Sequence, residues 1–124
     1  MLYLYILNGL LMIALPVVLA IFIRRHWGAR WALFGMGAVT FVGSQIFHIP
    51  FNSLVESSNI LPEPTPGTLE LVIVALFYGL SAGVFEEVAR YLTYRFWARD
   101  ARTWSQGLML GAGHGGVEAI VLGF

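Results

Sequence analysis

The chain has 124 residues, 58% hydrophobic and 15% aromatic but only 11% charged, with a mean hydropathy of +0.76. Soluble domains are about a quarter charged, so this composition excludes a disordered chain or a nucleic-acid binder and argues against an ordinary soluble enzyme. The chain reads as a membrane protein, with one transmembrane domain over residues 1–124.

Seven arginines balance seven carboxylates, and lysine and cysteine are both absent. That removes disulfides, thiolate metal sites, a Cys nucleophile and any Schiff-base or Ser-Lys mechanism. Chemistry falls to Glu, Asp, His, Arg, Ser, Thr or Tyr.

Four spans are expected, in chain order. The first, about residues 2–23, carries no charge and is long enough for the roughly 30 Å hydrocarbon layer at about 1.5 Å per residue. It has neither the basic start nor the small-residue cleavage site of a signal peptide, so it is expected to be a permanent helix kinked at Pro16. Arg24, Arg25, His26 and Arg30 make a basic loop. The second span covers about 31–49 and is expected to end at Pro50. Residues 50–68, rich in proline and free of arginine, read as a loop with room for one interfacial turn. The third span runs about 68–97 and the fourth about 104–124, with Arg95, Arg99, Asp100 and Arg102 in the turn between them.

The two arginine-bearing loops fall on one side, and Trp27, Trp31, Trp97 and Trp104 stand beside them as an interfacial belt. The positive-inside rule turns that side to the cytosol and puts the N-terminus outside. The fold class expected is therefore all-α: a polytopic transmembrane helical bundle of four spans.

Charges inside the spans carry the functional signal. Glu86, Glu87 and Arg90 lie in the third span, and His114 and Glu118 in the fourth. Each charge at the bilayer centre costs roughly 2.5–3.5 kcal/mol, so four unpartnered ones would cost on the order of 10 kcal/mol. They must find one another. An antiparallel hairpin about residues 100–101 sets Glu87 level with His114, while Glu86 and Arg90, four apart, can pair on one face. Gly79 and Gly83, and Gly107, Gly111 and Gly115, form small-residue stripes that would press the two polar faces together. Three carboxylates against one arginine leave excess negative charge in a low-dielectric site. The site must take up protons or bind a divalent cation, and both outcomes suit hydrolysis. His48 shares a face with Gln45 and Asn52, stands nearer the outer surface than Glu87, and reads as a substrate contact or an interfacial polar edge.

Phe85-Glu86-Glu87-Val88-Ala89-Arg90-Tyr91 and Gly111-Ala112-Gly113-His114-Gly115-Gly116-Val117-Glu118 resemble the YhfC-type intramembrane metalloproteases. These are relatives of the CAAX-processing and bacteriocin-processing (CPBP, or Abi) membrane endopeptidases. Ser44 to Asn52 is similar to the same family, so the resemblance covers essentially the whole chain. It implies an intramembrane peptidase, with Glu86 or Glu87 as the base that activates water, Arg90 as its positioning partner and His114 as a metal or water ligand. Glu87, His114 and Glu118 are the metal-ligand candidates, with Zn²⁺ as the cofactor, or none if water is activated without metal. Family members are longer than this chain and place a further His motif on a later helix, so the resemblance also implies an N-terminal half.

The expected partners are membrane lipid and a peptide or lipidated-peptide substrate, with no nucleic acid. Further helices of the same fold, or a second copy in a homo-oligomer, would complete the assembly. The expected location is a prokaryotic plasma membrane, crossed several times. Two other functions fit intramembrane Glu, Arg and His: a proton- or cation-coupled transporter, and a non-catalytic membrane binding or immunity protein.

Overall fold

Turn chemistry and apolar run length divide the chain into helices. Gly28 adopts the left-handed conformation (φ 68°) and donates its N–H to Arg24 O at 3.0 Å, ending the first helix. Gly67 (φ 79°) stands just before the third. The computed structural model describes residues 1–123, so the expected last residue of the fourth span, Phe124, lies outside the described residues. It contains α1 (Leu2–Trp27), α2 (Trp31–Ser57), α3 (Leu69–Leu92) and α4 (Trp104–Gly123), with α3 continuing into a π-helical turn at Thr93–Trp97. Among the described residues there is no strand.

The second helix does not stop at Pro50. It runs on to Ser57, so residues 50–57 are helical rather than loop. Proline removes one N–H from the ladder, but Asn52, one half-turn beyond it, is tied to His48 and Ser81 and holds the next turn in register. The helix ends where the Ser57 and Ser58 hydroxyls donate to Leu54 O and Val55 O.

α4 lies between α1 and α2, and α3 packs on another side of α2. The expected close hairpin of the third and fourth helices is thus replaced by an arrangement in which each lays its main contact on α2. Among the described residues three stretches are long and apolar enough to cross a membrane: Leu2–Trp27, Trp31–Ser57 and Leu69–Trp97. The fourth helix is not among them. It holds glycines 107, 111, 113, 115, 116 and 123 together with His114 and Glu118, and its inner residues Met109, Leu110, Ala112, Gly113, His114 and Gly116 are buried. A helix shielded by two apolar neighbours can carry polarity that a lipid-facing one cannot.

The buried core joins Ala20 and Ile23 of α1, Leu33 of α2, Ala98 and Ala101 of the turn, and Met109 and Leu110 of α4. Elsewhere α1 and α3 expose leucine, isoleucine, valine and aromatic side chains, as helices that face lipid do. Both arginine-bearing loops stand at one end. Arg30 Nη2 meets Asp100 Oδ2 at 2.5 Å, and Trp27 lies edge-on to Trp104 at 5.1 Å.

The close backbone approach is made by glycines other than the expected stripes. A Cβ on Gly37 would collide with the Leu110 carbonyl, one on Gly113 with the Phe34 carbonyl, and one on Gly116 with the Pro16 ring. By contrast, Gly79, Gly83, Gly111 and Gly115 have no neighbour within 4 Å of such a Cβ, and Gly107 meets only the Tyr94 hydroxyl at 3.6 Å. Both kinds of glycine recur at helical spacing, and only the way the helices dock tells them apart.

Candidate functional site

The close approaches at Gly37 (to Leu110 and the His114 N) and Gly113 (to Phe34) bring the backbones of α2 and α4 together next to His114, and they set its position. Its side chain is 5% exposed, with the ring edge-on to Phe41 (5.4 Å, 84°). From there Nε2 reaches Glu86 Oε2 on α3 at 3.5 Å, the outer limit of hydrogen-bond range. The Glu86 side chain is 18% exposed, so the pair is shielded in the bundle. His114 Nδ1 is buried with no partner among the described residues, and a buried polar atom left so costs about 1–3 kcal/mol.

Successive helical residues are about 100° apart, so Glu86 and Glu87 cannot both face inward. Glu86 takes the inner position and meets His114, where Glu87 was expected. The Glu87 side chain is 71% exposed and accepts from Arg90 Nη2 at 2.7 Å. The expected Glu86–Arg90 pair is therefore replaced by a Glu87–Arg90 pair three residues apart. Arg90 keeps its Nε buried and unpartnered among the described residues. Glu118, one turn beyond His114, is partly buried and makes no ion pair there.

Among the described residues no group of three or more His, Cys, Asp or Glu stands close enough to hold a metal ion. Glu87, His114 and Glu118 are thus not gathered into one ligand set. The two donors in contact are Glu86 and His114.

His48, expected to be a substrate contact or an interfacial polar edge, lies buried between α2 and α3. It is 7% exposed, with Nδ1 3.4 Å from Gln45 Oε1 and Nε2 3.1 Å from Ser81 Oγ and 3.0 Å from Asn52 Nδ2. This network ties α2 to α3 one turn from Glu86, and the Phe85 ring stacks at a tilt on the His48 ring at 5.2 Å. Ser81 escaped the sequence reading, as did the buried Thr40–Thr93 hydroxyl pair at 2.7 Å. A signal was present: Leu33, Gly37, Thr40, Phe41, Ser44 and His48, all buried, recur at the three-and-four spacing of one helix face.

Glu86 of α3 meets His114 of α4 across the bundle, and the chain that carries them has relatives among known proteins. The family described as YhfC intramembrane metalloprotease matches residues 11–124. The chain belongs to the YhfC family. It is 38% identical over 121 residues to the uncharacterized membrane protein YhfC of Bacillus subtilis (strain 168), covering 94% of this chain and 45% of that protein. The chain therefore spans about half the length of the curated YhfC relative it matches. No solved structure matches it. Membership of a membrane-protein family agrees with the three apolar helices.

Proposed function

We propose that the chain contributes the water-activating site of an intramembrane peptidase, acting on a peptide or lipidated-peptide substrate at a bacterial plasma membrane. The observation that carries this reading is the Glu86–His114 contact, a shielded carboxylate facing a buried imidazole from another helix. Glu86 takes a proton from water as the water oxygen attacks the scissile carbonyl. His114, held in place by the close approaches at Gly37 and Gly113 and by Phe41, orients that water. The proton passes from Glu86 to the leaving nitrogen as the C–N bond breaks, which is general acid–base catalysis by one carboxyl. Arg90 holds Glu87 and acts on the site only through α3.

A catalytic zinc site takes three protein ligands plus water. The described residues bring two donors into contact, which is short of that set, so no step here runs through a metal. The family description and the buried, unpartnered Nδ1 of His114 make metal content worth measuring beside activity.

The test reconstitutes the purified chain in liposomes with a membrane-anchored peptide library and monitors cleavage by mass spectrometry. Zinc content is measured in the same preparations. Glu86→Gln is expected to abolish cleavage while the melting transition is kept, whereas Glu87→Gln retains most of it. Equal cleavage by Glu86→Gln and the parent would overturn the reading. So would a variant that changes proton flux across the liposomes and leaves cleavage untouched.

A further inference from the structure

The turn between α3 and α4 is anchored from below. Ala98 and Ala101 are 0% and 4% exposed and sit in the core with Ile23, Leu33 and Met109. Ala98 N–H donates to Thr93 O at 2.7 Å, closing the π turn. Such a turn inserts one residue relative to α-helical register and rotates the residues beyond it by about 100°. With the alanines turned in, the arginines around them are turned out. Arg95, Arg99 and Arg102 line a single cleft with Phe96, of about 220 Å³.

The charge in this cleft is uncompensated. Asp100, the acidic residue within the turn, is engaged by Arg30 of the neighbouring loop. The Arg95 and Arg99 side chains make no ion pair or hydrogen bond among the described residues, and the Arg102 guanidinium donates only to the Tyr94 carbonyl. Loop charges chosen only for topology repel one another and spread apart. Here three guanidiniums share one concavity, and its fourth wall is an exposed phenylalanine, Phe96. Trp97 follows Phe96 directly and Trp104 stands two residues beyond Arg102, both exposed, and indole rings of this kind mark the headgroup layer. Guanidinium forks match phosphate oxygens in geometry and charge.

We propose that the Arg95–Arg99–Arg102 cleft is a phosphate-binding site. Its place beside Phe96 and the tryptophan belt favours the headgroup of an anionic phospholipid as the source, with inorganic phosphate as the other source of the same chemistry. The site is separate from the Glu86–His114 pair and does not depend on what that pair does.

The test uses native mass spectrometry of the detergent-purified chain with phosphatidylglycerol or phosphatidylcholine, and a parallel titration with inorganic phosphate. A charge-assisted hydrogen bond from a guanidinium to a phosphate oxygen is enough for about a tenfold change in binding. Arg95→Gln, Arg99→Gln and Arg102→Gln are each expected to cut the phosphatidylglycerol preference about that much. Arg99→Lys, which keeps the charge but loses the fork, should lose less. Arg25→Gln removes a charge from the same end of the bundle but outside the cleft, and should leave the preference intact. Preference for phosphatidylglycerol identifies a lipid as the source. Saturable phosphate binding that the cleft variants abolish, without lipid preference, identifies free phosphate. Binding of neither probe, or an Arg25→Gln loss as large as that of the cleft variants, overturns the proposal.

Discussion

Replacing Gly113 by alanine separates two readings of the same glycine-rich helix. The added Cβ would stand 2.7 Å from the Phe34 carbonyl carbon and 2.9 Å from its Cα, with the carbonyl oxygen nearer still. Carbon atoms rest at about 3.5–4.0 Å, and a backbone carbonyl in a helix cannot swing aside, so α4 must move off α2 by about 1 Å. Overpacking of this kind costs about 1–3 kcal/mol, and here it falls at the upper end. Alanine recovers about 0.5–1 kcal/mol of helix propensity, which leaves a net loss of about 2 kcal/mol. Gly111→Ala, two residues away on the same helix, meets nothing within 4 Å and should show only the propensity gain. Unfolding in mixed micelles of increasing SDS content, monitored by tryptophan fluorescence, should lower the midpoint for Gly113→Ala and leave it level or raised for Gly111→Ala. Equal shifts, or no loss for Gly113→Ala, would refute the assignment of the α2–α4 seam.

Other contacts between helices can be tested in the same way. A double-mutant cycle on Thr40→Val and Thr93→Val should give a coupling of about 0.5–2 kcal/mol, the range of interhelical hydrogen bonds in membranes; zero coupling would mean the hydroxyls do not meet. His48→Ala strips Asn52 and Ser81 of a buried partner and should cost about 1–3 kcal/mol, with hydrogen exchange rising first around Ser81 on α3. Arg30→Gln, at a pair whose side chains are 51% and 64% exposed, should cost no more than about 1 kcal/mol and lose its effect in high salt. A larger, salt-independent loss would show that the ion pair is needed to close the Arg-bearing end.

Composition and hydropathy alone determine that the chain is helical and membrane-embedded. In that solvent the backbone must bond to itself, and a charge-free run such as residues 2–23 has no other stable form. The spacing of arginines and tryptophans also places both basic loops at one end, as the Arg30–Asp100 and Trp27–Trp104 contacts bear out. The residues of the candidate site were legible too, because a carboxylate or imidazole inside an apolar helix is costly wherever the helix docks.

Partner choice was not legible. Glu86 and Glu87 differ by one position, about 100° of helix, and which of them meets His114 depends on the rotation of α3 against α2. That rotation is held by the network of His48, Asn52 and Ser81, contributed by two helices. The packing glycines were hidden for the same reason: Gly113 and Gly111 are chemically alike in the sequence, but only one lies under the Phe34 carbonyl. Local rules run along a helix, whereas which of its faces meets a neighbour is decided between helices, and only the tertiary structure decides it.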